Sequence, residues 1–526
     1  MKIDPFTIEV IRHGLTAAAE EMSLTVMRSA RSPLLREAGD LSSAITDFNG
    51  ELISQGKDIP AHIGTMSYTV QDFLKWIPVS QLRPGDVWFT NHPEVGGNHL
   101  PDVKAIRPIF YKNHLAAFAV SLAHWADVGG AWPGSYFTAA TDSIQEGLRL
   151  PPLRLFSSEG PDREKIDVVL CNVRGSALVE GDIFAQMAAT RAAEIRIQEL
   201  CDEYSPEVFL QSLRHLHDLS EAQMREAITK LPDGTYFGED FIDEGGPEDA
   251  PAAVRVKITI AGDEADFDFS ESDNAVNSVL NTTPLMAGSS TMYAIKVIAG
   301  PDIHPNGGCY RPIKIKTRPG SLIDPGPMKP IVGGNHETSQ RIADAIFKAM
   351  EHAVPERLTA GGPTTAGLLI FGGPKENGEW GTLYEVHGGG EGARIDRDGC
   401  AAIRVHMVNT ANTPVEVIEA EYPIEVCTHR LRKGSGGDGA HRGGDGLIRE
   451  YRVLADQLWL TTMFERRVIP PYGLCGGSPG ATYVATLYRK NGDVKILPGK
   501  SNIKLEKDDR IVMETSGGGG YGKVAN

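Results

Sequence analysis

Two apolar runs separated by three residues constrain this chain more than any other feature. "VKAIRPIFY" (103–111) and "LAAFAVSLAH" (115–124) flank "KNH" (112–114). Runs of this kind around so short a connection read as two long strands of an antiparallel hairpin. With a three-residue loop Tyr111 opposes Leu115, and the same register sets Asp102 directly opposite His124. Opposed residues point to one face with Cβ atoms about 5 Å apart. A two-residue loop would shift the pairing by one and make the two diagonal, and Pro108 is a place where a bulge could intervene.

The ends of this hairpin carry the sequence's most suggestive chemistry. His99 and Asp102 in "GGNHLPD" and His124 and Asp127 in "AHWADVGG" repeat a His-x-x-Asp spacing, each beside a Gly-Gly. Pro101 rules out a helix interior, and Gly96 and Gly97 permit a close backbone approach, so His99 can join Asp102 and His124. Two imidazoles and a carboxylate form a nitrogen and oxygen set suited to zinc, manganese or iron. Positions remain open for a water that the ion acidifies toward neutrality. Asp127 reads as an acceptor that orients His124 or as a proton carrier. The same spacing also serves hydrogen-bonded His–Asp pairs and turn caps. His62, His92, His336, His387 and His406 stand singly, and His215 and His217 point to different helix faces, so these read as structural.

A chain of 526 residues exceeds one hydrophobic core and is expected to be multi-lobed. Ile8, Ile11, Leu15, Ala18, Met22 and Val26 recur at helical spacing behind Asp4-Pro5, and "DFNG" joins two short strands within 41–56. Residues 177–231 read as two long helices. The polar Pro/Gly stretch "DEGGPEDAP" (243–251) reads as a boundary. The expected class is therefore mixed α/β (α+β). An N-terminal lobe, 1–242, holds the metal-binding hairpin and long helices, and a C-terminal lobe, 252–526, is mixed and then sheet-rich.

Glycine-rich stretches at 387–394, 435–446 and 474–481 match no phosphate-loop pattern and read as close turns that could face a partner or the substrate. The tail "SGGGGYGKVAN" reads as mobile at its very end. Six cysteines without a CxxC indicate neither a disulfide framework nor a thiolate zinc site, and are expected to be reduced and mostly buried. A net charge of −17 with scattered Lys and Arg argues against nucleic acid or an anionic membrane as partner. No apolar run approaches the roughly 18 residues of a membrane span, and a cytoplasmic location is expected.

Longer blocks carry a resemblance. "LREAGDLSSAITDFNGELISQG", "IPAHIGTM", "GGNHLPD", "AHWADVGG", "QEGLRLPPLRL", "NTTPLMAGSSTMYAIKVIAGPDIHPNGGCYRPI", "GNHETSQRIADAI", "HMVNTANTPVEVIEAEYPI", "HRGGDGLIREYRVL", "PPYGLCGGSPG" and "SGGGGYG" resemble, in order and over essentially the whole chain, the hydantoinase B/oxoprolinase family. That resemblance implies the hydrolytic subunit of an ATP-dependent cyclic-amide hydrolase of the hydantoinase, oxoprolinase or lactamase type. It implies a hetero-oligomer with a hydantoinase A-type subunit that holds ATP and magnesium and phosphorylates the substrate's carbonyl oxygen. It further implies a divalent transition metal, zinc or manganese, held by Asp40, His99, Asp102 and His124, whose bound hydroxide attacks the activated carbon. The related reading is a subunit of an ATP-dependent ketone carboxylase. A third reading is a non-catalytic scaffold subunit whose His and Asp residues only cap turns. Asn91-His92 and His387 depart from the family's pattern, which leaves the substrate open among hydantoins, oxoproline, larger lactams and ketones.

Overall fold

A computed structural model describes residues 3–244, 250–375 and 377–524 of the chain, and it mixes helices with several sheets. The hairpin lies at the centre of a seven-stranded antiparallel sheet. Its strands are β1 (Leu41–Asp47), β2 (Leu52–Gln55), β3 (Val87–Thr90), β4 (Asp102–Tyr111), β5 (His114–His124), β6 (Leu153–Ser157) and β7 (Gly160–Pro161), in the order β2-β1-β5-β4-β3-β6-β7. Both faces are covered, which is why the strands read as continuous apolar runs rather than alternating ones. Helices α1 (Pro5–Ser29) and α3 (Ser176–Tyr204) pack Ile11, Leu15, Ile183 and Ala189 against Val103, Ala105, Ala119 and Ala123. Helix α2 (Thr65–Trp76) places Val70 and Phe73 over Ile106, Phe118, Val120 and Leu122 on the opposite face. Helix α4 (Pro206–Ile228) follows α3, so the two long helices expected over 177–231 form. Asp4 precedes α1 but its side chain makes no capping bond.

The hairpin reaches the expected register by a different route. Its turn has two residues, not three: Tyr111 pairs with His114 across Lys112 and Asn113, both left-handed at φ 45° and 67°. The register then shifts between Ile109 and Phe110. Phe110 faces Leu115, but Ile109 faces Ala117, leaving Ala116 as an extra residue. Turn and bulge cancel, and Asp102 lies opposite His124.

A second antiparallel hairpin, β8 (Gly234–Ile242) and β9 (Ala252–Ala261), pairs from Gly234↔Ile260 to Ile242↔Ala252. The stretch 243–251 therefore connects two neighbouring strands of one sheet and does not separate lobes 1–242 and 252–526 there; residues 245–249 of it lie outside the described residues. Helix Thr338–Ala349 packs on this sheet, burying Ile342 and Ile346 with Val256 and Ile258. Farther along, strands Leu368–Pro374, Trp380–Val386, Gln457–Met463 and Lys500–Glu506 form one sheet. A five-stranded sheet shares a core with it through Phe371, Leu460, Tyr451 and Ile511.

The glycine-rich stretches are mostly not turns, although Cys475 and Gly476 form one, closed by Gly477 N–H to Leu474 O at 2.9 Å. Segments around 388–393, 436–444, 473–480 and 517–521 lie side by side and exchange peptide hydrogen bonds: Gly390 N–H to Ser516 O, Gly437 to Gly518, Gly518 to Gly444, Ala393 to Gly519 and Leu474 to Gly520. Most of these glycines do not adopt positive φ. They are needed because a Cβ on Gly518 would fall 1.9 Å from the Glu391 carbonyl, and one on Gly444 2.0 Å from that of Cys400. The tail through Tyr521 is thus buried; Ala525 and Asn526 lie outside the described residues. The cysteines are unpaired, but only Cys201 and Cys309 are buried, whereas Cys171, Cys400, Cys427 and Cys475 are exposed. Among the described residues no helix is long and apolar enough to cross a membrane.

Candidate metal centre

Sheet register builds the centre. Asp102 opens β4 and His124 closes β5, directly opposed. On the other side of β5, Leu41 pairs with Ala123, so Asp40, one residue upstream, meets His124, and its carbonyl accepts the His124 N–H at 3.1 Å. Asp40, His124 and Asp102 therefore form a row across three adjacent strands. His99 arrives from the loop before β4, where a Cβ on Gly96 would lie 2.4 Å from the Thr69 Cα and one on Gly97 2.5 Å from the His92 carbonyl. Lys104, fully buried two residues along β4 from Asp102, donates to Asn98 Oδ1 at 3.0 Å and to the Gly96 carbonyl, which pins this loop.

His99 Nδ1 lies 3.0 Å from the Val332 carbonyl. A carbonyl only accepts, so Nδ1 carries a proton, and Nε2 faces Asp102 Oδ1 at 3.1 Å. Burial opposes charging of His99, but the Asp102 carboxylate outweighs it and raises the imidazole. His99 Nε2, Asp102 Oδ1 and His124 Nδ1 are all buried and lack hydrogen-bond partners. One ligand atom from each of the three residues lies within 4.8 Å of the others. Two imidazoles and a carboxylate brought this close in a buried site form a donor set that fits a divalent transition metal. Burial, then His99, pushes His124 down to about 3, leaving a neutral imidazole able to ligate. Burial opposes ionisation of Asp102, but His99 and His62 overcome it and hold the carboxyl well below the usual range. Burial and the neighbouring Asp102 carboxylate raise Asp40 to about 6.

Residues read as structural, or not singled out, complete the centre. His62 Nε2 stands 3.4 Å from Asp102 Oδ2, with its Nδ1 at 2.8 Å from Ser42 Oγ, and Asn335 Nδ2 approaches the same Asp102 oxygen at 3.5 Å. Oδ2 is thereby occupied while Oδ1 stays free. His336 Nδ1 meets Glu337 Oε1 at 2.9 Å and its Nε2 meets the Tyr136 hydroxyl at 3.0 Å. His336 thus bridges Glu337 and Tyr136 in a Glu–His–Tyr chain whose phenol oxygen lies 3.3 Å from His99 Nδ1. Tyr384 stacks edge-on against His124 at 4.9 Å and donates to the Gly134 carbonyl. The cavity these residues line has a volume of about 50 Å³.

Asp127 has a different task from the one its spacing suggested. Its carboxylate accepts from the backbone N–H groups of Gly129 (2.7 Å) and Gly134 (2.8 Å) and from Arg174 (Nη1, 3.2 Å), so it neither accepts from His124 nor lines the cavity. It folds the loop that carries Tyr136 and receives Tyr384. Glu146, also buried, accepts from Ile331 N (2.9 Å) and Val332 N (2.8 Å), tying down the residue whose carbonyl fixes His99. His92 and His387 lie off the cavity: His92 stacks on Trp76 at 5.3 Å, and His387 contacts the Tyr451 hydroxyl at 2.9 Å. His406 pairs with Asp344 at 3.2 Å.

One signal for the missed residues is present in the sequence. "VGGNH" occurs at 95–99 and again at 332–336, and each copy delivers a histidine to the centre, with the His99 and His336 rings 6.0 Å apart.

Comparisons with known proteins agree with this architecture. The hydantoinase B/oxoprolinase family model matches residues 4–524. Caprolactamase subunit beta of Pseudomonas jessenii is 29% identical over 99% of this chain and 91% of its own length. The crystal structure of the ATP-dependent caprolactamase from that organism superposes with a TM-score of 0.93 at 28% identity, over 99% of this chain and 92% of that one. 5-Oxoprolinase of Dictyostelium discoideum is 30% identical over 99% of this chain, which spans only 40% of that longer protein. A nucleotide-free acetone carboxylase structure gives a TM-score of 0.90 at 18% identity, over 99% of this chain and 76% of that one, a likeness of fold alone. Matched from its fourth residue to within two of its last, the chain belongs to the hydantoinase B/oxoprolinase family.

Proposed function

We propose that this chain is the metal-dependent hydrolytic subunit of an ATP-dependent cyclic-amide hydrolase. It works with a hydantoinase A-type subunit that binds ATP and magnesium and phosphorylates the substrate's carbonyl oxygen. The observation that carries this reading is the convergence of ligand atoms from buried His99, Asp102 and His124, each of which also has a buried polar atom without a hydrogen-bond partner. The family membership and the subunit names of the bacterial relatives support the chemistry and the need for a partner.

His99, Asp102 and His124 would hold the ion, zinc or manganese, with Asp40 at the end of the same row. When bound, such an ion acidifies water and polarises a carbonyl. His62 and Asn335 fix the Asp102 carboxylate so that only Oδ1 is offered to the ion. The Tyr136 hydroxyl, backed by His336 and Glu337, would protonate the ring nitrogen as its C–N bond breaks, and the Glu–His pair would return a proton to the phenol. The acyl phosphate left behind would be hydrolysed by a second water to carboxylate and phosphate. Tyr384 and the apolar wall exclude bulk water.

Elemental analysis of the purified chain tests the proposal. About one transition-metal ion per chain, lost in His99→Ala and in His124→Ala together with amide hydrolysis in the presence of the partner, is the expected outcome. A wild-type chain that takes up no zinc or manganese overturns the reading.

A further inference from the structure

The metal cavity, at about 50 Å³, has room for one or two waters but not for an amide ring. A second cavity of about 300 Å³ shares Val408 with it as a common wall, and this size is where small-molecule sites begin. Its floor is aromatic, with Tyr293 and Phe347 against His406 at 6.0 and 5.1 Å. Its charge runs against that of the chain: Arg357, Arg394 and Arg404 line it with Glu391 as the one carboxylate, in a protein of net charge −17. Glu391 is partly committed, since Oε2 accepts the Cys400 N–H at 3.1 Å and Oε1 stands 3.6 Å from Arg394. Arg404 donates to the Val386 carbonyl and to Asn412 Oδ1 at 2.9 Å, both neutral groups. Arg404 Nη1 and Arg394 Nε are buried without partners. Among the described residues Arg394 and Arg357 have only loose ion pairs, with Glu391 at 3.6 Å and Glu356 at 3.7 Å, so these guanidinium groups keep donors free for an anion in the cavity.

We infer that this second cavity is an oxyanion subsite. It holds the phosphoryl or carboxylate group of a small acyl compound, whose reacting carbon passes Val408 to the metal centre. Arg394 and Arg357, both half-exposed, grip the anion from the mouth, and Arg404 supplies charge from the wall nearest Asp40. The role of the neighbouring centre rests on the hydrolytic reading above; the anion site itself does not.

Titration calorimetry with inorganic phosphate, and separately with acetate, on the full chain stripped of metal by a chelator tests this. Saturable phosphate binding, weakened about tenfold by Arg394→Gln and by Arg357→Gln and unchanged in His99→Ala, is expected. Phosphate bound well ahead of acetate assigns the subsite to a phosphoryl group, and equal binding with the same arginine dependence assigns it to any oxyanion. No saturable binding of either anion at millimolar concentration overturns the inference. So does binding that needs the metal and ignores both arginines. A chain that binds phosphate in this way but takes up no metal would sink the hydrolytic reading and leave the subsite standing.

Discussion

Asp182 shows what burial does to a carboxylate away from the metal centre. It accepts from the backbone N–H groups of Arg31 (2.9 Å) and Ser32 (3.2 Å), yet burial pushes its carboxyl up to about 6 from 3.8. Between those values the folded protein holds the proton more firmly than the unfolded chain, so this group's contribution to stability falls as pH rises through about 4 to 6. Asp182→Asn removes that slope, and its stability relative to the parent should climb across the window by up to about 3 kcal/mol and level off above it. Thermal midpoints of both proteins from pH 4.5 to 7 measure this, and a pH-independent difference contradicts it. Tyr136→Phe deletes one oxygen from the Glu337–His336–Tyr136 chain, so hydrolysis with the partner should fall about a hundredfold while metal content holds. Loss of the metal instead would make Tyr136 a positioning residue. His99, Asp102 and His124 were legible in the sequence because two strand ends and one loop, all close along the chain, bring them together. Tyr136, His336 and His62 were not, because they reach the cavity from loops far apart in sequence and no local periodicity links them; the repeated "VGGNH" was the visible clue.

The central hairpin shows how an element can reach an expected register through an unexpected combination. The sequence displayed two apolar runs and hence the pairing, but not that Lys112 and Asn113 would both turn left-handed, nor that Ala116 would bulge to restore the alignment. Asn-Gly suits such a turn better than Lys-Asn. The double replacement Lys112→Asn with Asn113→Gly should stabilise the protein by about 1 kcal/mol and leave metal content unchanged, by thermal midpoint and elemental analysis. Deleting Ala116 should leave metal content unchanged, because the unpaired bulge residue is the one removed and the two-residue turn alone then keeps Asp102 opposite His124. The loop 331–337 is held as firmly from outside as the hairpin is from within. Glu146→Ala strands the Ile331 and Val332 N–H groups in the interior, which should cost about 1–3 kcal/mol. It should also weaken metal binding about tenfold or more in chelator competition, since the Val332 carbonyl no longer fixes His99.

Across the whole molecule, the mixed class and the long helices were readable from periodicity, whereas the continuity through 243–251 was not, because a polar Pro/Gly stretch serves a hairpin connection as well as a boundary. The glycine-rich stretches, turns only at Cys475–Gly476, were largely misread for a related reason: sequence shows that a glycine is present, not whether it answers to a dihedral angle or to a neighbour. Gly518→Ala sets a methyl group 1.9 Å from a backbone oxygen that has nowhere to go and should abolish soluble folded protein, while Gly434→Ala, at φ +82° with nothing within 4 Å, should cost only about 1 kcal/mol. Expression yield and thermal midpoint separate the two. The bundle also imposes an order on synthesis. Residues 517–521 supply bonding partners to segments made much earlier, including the 390–393 stretch that follows the cavity strand Trp380–Val386. Until residues 517–521 have left the ribosome, the peptide groups that bond to them have only water, so the wall of the metal cavity closes well after its own strands have been made.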